Sequence, residues 1–160
     1  MLETMIVDSD NVAKNAILDA LNPASLQDIY EEMSFLQDEA GNITPKNYVR
    51  FLSRLYNATY LNRTYSNMAL ELLTKTSFND GLVAGLPTNV KVAHKYGERG
   101  IYEDNALVGV ELHDCGLVYA EKSPYFVCIM TKGADINNLA KILRDISGAV
   151  YRNRAQFAAS

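Results

Sequence analysis

The chain has 160 residues, 48% of them hydrophobic, and a formal net charge of −4 with the charges spread along it, which fits one compact domain with a real core. No basic stripe is present, which argues against nucleic acid as a partner, and no apolar run reaches the length of a membrane span. The N-terminus, Met1 to Asp8, lacks a basic start followed by an apolar run, so it does not read as a signal peptide. The chain is then either cytosolic or one whose leader lies outside these residues.

The first two-thirds reads as four helices. Ser9 or Asp10 can cap the first, with Ala13, Ala16, Ile17, Ala20 and Leu21 on one face. Asn22-Pro23 stops it. Ser25 can cap the second, which carries Leu26, Ile29, Tyr30, Met33 and Leu36. Asp38 to Asn42 is polar, contains Gly41 and reads as a loop. Thr44-Pro45 is a strong start signal for the third helix, with Tyr48, Phe51, Leu52, Leu55 and Tyr56 at helical spacing. The fourth begins near Thr64 and turns Tyr65, Met68, Ala69, Leu72 and Leu73 inward.

The pattern then changes. Asn79-Asp80-Gly81 and Ala84-Gly85-Leu86-Pro87 are turn-rich, and Val90, Val92 and His94 alternate as a strand would. Gly97 to Asn105 reads as a polar connection. Gly116 to Ala120 and Tyr125 to Thr131 are apolar β-rich runs, joined by a hairpin turn at Glu121-Lys122-Ser123-Pro124. A last helix carries Ile136, Leu139, Leu143, Ile146 and Val150, with Asp135 at its start and Arg152 and Arg154 near its end, charges that suit the helix dipole. Gln156 to Ser160 reads as a frayed tail. The expected class is α+β: a helical part followed by a three-stranded antiparallel sheet covered by a C-terminal helix.

Cys115 and Cys128 read as two small buried hydrophobes rather than a bridge, and with His94 and His113 they are too few for a zinc site. No metal or cofactor is implied. His113-Asp114-Cys115 is compact, but neighbours on a strand point to opposite faces and do not converge. A metal or cysteine enzyme built on His94, His113, Asp114 and Cys115 is therefore disfavoured, and His94 reads as packed against a helix.

Two short motifs carry more. Ser9-Asp10-Asn11 stands directly before a helix, and Lys95-Tyr96-Gly97 ends the strand from Val92. Taken alone, the first is an N-cap and the second a solvated lysine before a turn. In this order they resemble the Ser-Asp-Asn and Lys-Thr-Gly motifs of active-site serine penicillin-recognising enzymes. The chain resembles the class A β-lactamase-like or penicillin-binding-type family over nearly its whole length. Met5 to Asn15 is similar to that family's Ser-Asp-Asn helix entry. Thr44-Pro45 with Phe51-Leu52 and Leu55-Tyr56 is similar to its helix after the omega loop. Gly116 to Tyr119, Tyr125 to Thr131 and the terminal helix are similar to its last strands and closing helix.

The resemblance implies roles. Ser9 would relay a proton to the leaving nitrogen, and Lys95 would supply positive charge near a substrate carboxylate and tune Ser9. Asn11 would bind the substrate's side-chain amide, with Tyr96 and Gly97 at the substrate-binding strand. Tyr96 departs from the family's threonine, which puts carboxylate recognition in doubt. The substrate would be a β-lactam or a peptidoglycan stem peptide, and the location extracytoplasmic, periplasmic or secreted.

The nucleophile is not found. None of Ser9, Ser25, Ser34, Ser53, Ser66, Ser77, Ser123 or Ser147 is followed at the third residue by lysine, and only eight residues precede Ser9. Glu31, Glu32 and Glu39 read as helix-surface carboxylates rather than an omega-loop base. The expectation is one incomplete domain over 1–160, helical to about 80, with the sheet and closing helix over about 88–155. As a fragment or truncated form it would be inactive alone. Tyr125 to Thr131 would then be an open apolar edge, and a homodimer through residues 125–131 or through uncovered helical faces is expected. The reading from a different class is a non-catalytic binding or assembly module that reuses the fold.

Overall fold

The computed structural model describes residues 1–33, 41–121 and 123–157. Leu36, Glu39, the start of the loop expected from Asp38, Lys122 and the end of the tail expected to fray lie outside them, as does the side chain of Ser25. The chain forms two compact units, Met1–Ser77 and Phe78–Ser160.

The first unit is helical: α1 Leu2–Val7, α2 Asn11–Ala20, α3 Pro23–Glu32, α4 Pro45–Asn57 and α5 Arg63–Leu73. Polar caps set four of the starts. The Asp10 carboxylate accepts from the backbone N–H of Val12 at 2.7 Å and of Ala13 at 3.2 Å. Asn22 accepts from Ala24 N at 3.0 Å, Thr44 from Asn47 N at 3.2 Å and Asn62 from Tyr65 N at 3.0 Å. Asn22-Pro23 therefore ends α2 and starts α3 as well: proline at the first helical position needs no N–H partner, so the cap falls on Asn22 instead of Ser25. The short helix α1 was not expected. Ser77 ties back to its end, donating both its N–H and its hydroxyl to Val7 O at 2.9 and 3.0 Å.

The inward face of α5 is turned from the expected one. Tyr65 and Met68 are 58% and 59% exposed, while Ser66, Leu70 and Leu73 are buried. The reason lies in Ser66. Its hydroxyl donates to the Leu61 carbonyl at 3.4 Å, so it enters the interior satisfied, and a count of apolar residues alone misses it.

The second unit opens with a 3-10 turn, Val83–Gly85, followed by β1 Val92–Glu103, β2 Ala106–Val118, β3 Tyr125–Gly133 and α6 Ile136–Phe157. The sheet is antiparallel in the order β1-β2-β3. Together the units give the expected α+β succession. The polar connection expected at Gly97 to Asn105 is instead the second half of β1 and its turn. Asp104 and Asn105 take φ of 48° and 64°, and Glu103 pairs with Ala106, a two-residue hairpin that favours such residues. This arm runs past the core, with Tyr102 at 65% and Leu107 at 57% exposure. It therefore lacks the one-sided apolar alternation by which a half-buried strand is recognised.

One apolar cluster joins Val92, Val118 and Ala120 with Tyr125, Val127 and Tyr151. Another joins Leu112, Leu139 and Leu143 with Tyr96, Ile129 and Ile136. The α6 stripe follows Ile136, Leu139 and Leu143 as expected, then passes to Ser147 and Gly148, leaving Ile146 41% exposed. Here the helix meets the 3-10 turn backbone to backbone. A Cβ on Gly85 would lie 2.2 Å from Arg144 O, and Ser147 Oγ donates to Leu82 O at 2.8 Å.

Cys115 and Cys128 are bonded to each other, which corrects their reading as free buried thiols. They are directly opposed across the β2–β3 ladder with Cα atoms 3.9 Å apart. The register of the hairpin brings them together, and nothing in their sequence spacing states that register.

Candidate functional site

Each motif is built by its own unit. In the first, α1 ends at Val7 and α2 begins at Asn11. Ser9 lies between them with φ of 56°, in the left-handed region, where a residue with a Cβ is uncommon and costs about 1 kcal/mol. Of the two expected cap candidates, Ser9 and Asp10, it is Asp10 that performs the capping. Asn11 is the first residue of α2 and is exposed.

In the second unit, β1 carries Lys95, Tyr96 and Gly97 in succession. Directly paired residues share a sheet face, so Lys95 lies on the face of its partner Cys115, and Tyr96 on the opposite face with Asp114. The Tyr96 ring stacks on Phe78 with centroids 4.5 Å apart and joins the cluster around Leu112. Lys95 curls over the sheet edge that β1 forms. Its Nζ donates to the Tyr96 carbonyl at 2.9 Å and sits 4.5 Å from the Tyr96 ring centroid. Burial holds the Lys95 ammonium below the usual lysine range, and the Asp114 charge opposes that shift. A Cβ on Gly97 would meet nothing within 4 Å.

The sheet also brings together two residues that were not paired in the sequence. His94 Nδ1 lies 2.8 Å from Asp114 Oδ1, with the side chains 2% and 0% exposed. The other carboxylate oxygen accepts from Leu82 N at 3.1 Å. Alternation along one strand separates Asp114 from His113 and Cys115, but the β1–β2 register sets His94 opposite Gly116, diagonal to Asp114 on the same face. The trace in the sequence is a carboxylate, Asp114, directly before the apolar run Cys115 to Val118. Cys115, being bonded, offers no thiolate. Among the described residues no three His, Cys, Asp or Glu side chains gather as a metal would need. Glu31 accepts from Gln27 Nε2 at 2.9 Å on α3, and both it and Glu32 are exposed.

A model of the beta-lactamase enzyme family matches residues 1–153. The chain belongs to that family. Its fold is also that of solved members. It is similar to PBP-A with a TM-score of 0.78 and 24% identity, over 96% of this chain and 60% of that one. A PBP-A variant solved as an acyl-enzyme complex with penicillin G gives 0.79 and 24%, over the same shares. A class A beta-lactamase from Bacteroides cellulosilyticus gives 0.80 and 19%, over 94% of this chain and 61% of that one. The chain thus spans about three fifths of the length of these structures. No curated protein matches it. Among the described residues, no helix is long and apolar enough to cross a membrane.

Proposed function

We propose that this chain supplies the supporting side of a β-lactamase-like acyl-transfer site acting on β-lactams or peptidoglycan stem peptides. Ser9 relays a proton to the leaving nitrogen, Lys95 supplies positive charge, and Asn11, Tyr96 and Gly97 line the substrate. The observation that carries this reading is Ser9 itself, held in left-handed backbone beside a helix that Asp10 already caps. Backbone of that kind persists where the surroundings enforce it, often at a functional site. The attacking serine of a Ser-x-x-Lys motif is absent from these 160 residues, so acylation needs that segment from outside them, and the chain alone is inactive. The disulfide supports an extracytoplasmic location.

Labelling with a fluorescent penicillin tests this. The 160-residue chain alone should not be labelled. The natural gene product, if it carries a Ser-x-x-Lys segment, should be labelled covalently, and Lys95→Ala or Ser9→Ala should slow labelling by about two orders of magnitude. Labelling at an unchanged rate in both variants sinks the assignment.

The Tyr96 ring, committed to Phe78 and the Leu112 cluster, favours a second reading, a non-catalytic binding or assembly module. Retained binding to cell-wall fragments by a full-length product that penicillin never labels would select it. We also propose self-association through β3, which lies at an edge of the three-stranded sheet, or through uncovered helical faces. A monodisperse monomer by light scattering at micromolar concentration would exclude it.

A further inference from the structure

We propose that His94 and Asp114 are positioning residues, whose buried pairing fixes the β1 backbone so that Lys95 is held on the Tyr96 carbonyl and over the Tyr96 ring. The functional meaning of that placement rests on the reading of Lys95 given above.

The pair is built into the unit from several sides. A buried carboxylate is tolerated only when its oxygens are satisfied. Asp114 uses one oxygen on His94 and the other on the Leu82 N–H. The His94–Asp114 contact is a hydrogen bond between two side chains that are both shut off from water. The Leu82 carbonyl is held in turn by Ser147 Oγ of α6 at 2.8 Å. A chain of contacts therefore runs from α6 through Leu82 and Asp114 to His94, and the next residue along β1 is Lys95.

Two glycines make room for it. A Cβ on Gly81 would lie 2.6 Å from Asp114 Oδ2. A Cβ on Gly116 would lie 2.6 Å from His94 Cβ and 2.8 Å from Ala93 O. Packing alone does not call for this arrangement, because well-fitted apolar side chains often fill such a space at equal or better stability. What a hydrogen-bonded pair adds is direction. It sets the rotation of the strand at His94, and among the described residues β1 is an edge strand, laddered to β2.

Lys95 carries its own reporter, since its amine lies over the Tyr96 ring and its methylene protons should be shifted upfield by the ring current. The experiment is NMR of the 160-residue chain with isotope-labelled lysine, using exposed Lys91 and Lys132 as references. In His94→Gln and Asp114→Ala the Lys95 signals should move to the positions of Lys91 and Lys132, with a cooperative melt retained. His94→Asn should preserve them, because its amide nitrogen lies where Nδ1 lies and that of Gln does not. Unchanged Lys95 signals in His94→Gln overturn the proposal, as does their loss in folded His94→Asn. Should Asp114→Ala fail to fold, the two His94 variants decide. The signal is read without any β-lactam, so failure of the labelling experiment and failure of this proposal are separate results.

Discussion

Cys115 is bonded to Cys128 across the β2–β3 ladder, and Lys95 is the residue opposite Cys115 on the other side. The bond thus crosses the sheet at the row that carries Lys95. It closes a loop with a sequence separation of 13 residues, and loop-closure entropy for such a span amounts to about 3 kcal/mol. Reduction, or replacement of both cysteines by alanine, should lower stability by up to about that amount. Thermal melts with and without a phosphine reductant measure it, and coincident melts with complete reduction would refute it.

Lys95 should cost stability at neutral pH. Burial lowers its proton affinity in the folded chain. Between the lowered value and the ordinary lysine range near about 10, the unfolded chain binds the proton more readily. Stability therefore rises with pH through that window, and the cost is fully present below it. Lys95→Met should be more stable than the parent at pH 7, with the difference shrinking as pH approaches about 10. A difference that is constant with pH in urea titrations would contradict this.

Ser9 gives a matched pair of variants. Glycine adopts positive φ at little cost, whereas alanine keeps the strain of a Cβ. Both lose the hydroxyl. Ser9→Gly should therefore exceed Ser9→Ala in unfolding free energy by about 1 kcal/mol. Equal midpoints in denaturant would mean that the left-handed backbone at residue 9 is not retained in solution.

Gly85 and Gly97 should respond in opposite ways. A Cβ on Gly85 would run into the backbone of α6 at Arg144 and Gly148, while one on Gly97 would meet nothing. Gly85→Ala should destabilise by about 3 kcal/mol or more, since backbone yields less readily than a side chain. Gly97→Ala should stay within about 1 kcal/mol of the parent. Denaturant midpoints of the two variants settle the contrast.

Local chemistry was legible in the sequence. Thr44-Pro45 started a helix because a hydroxyl and a missing N–H both suit a helix N-terminus, and Ile136, Leu139 and Leu143 lay inward because their spacing matches the helical turn. The order of elements, with the two motifs, was enough to point to the family. Other features depended on which strand residues meet across the sheet. The Cys115–Cys128 bond, the His94–Asp114 pair and the curl of Lys95 onto Tyr96 all follow from the register of three strands and the edge position of β1. The β1–β2 arm was missed because it leaves the core and loses its one-sided pattern, and the α5 face because a satisfied serine took an interior position. Composition and periodicity report how each segment meets water. Register is a relation between distant segments, and only the folded sheet fixes it.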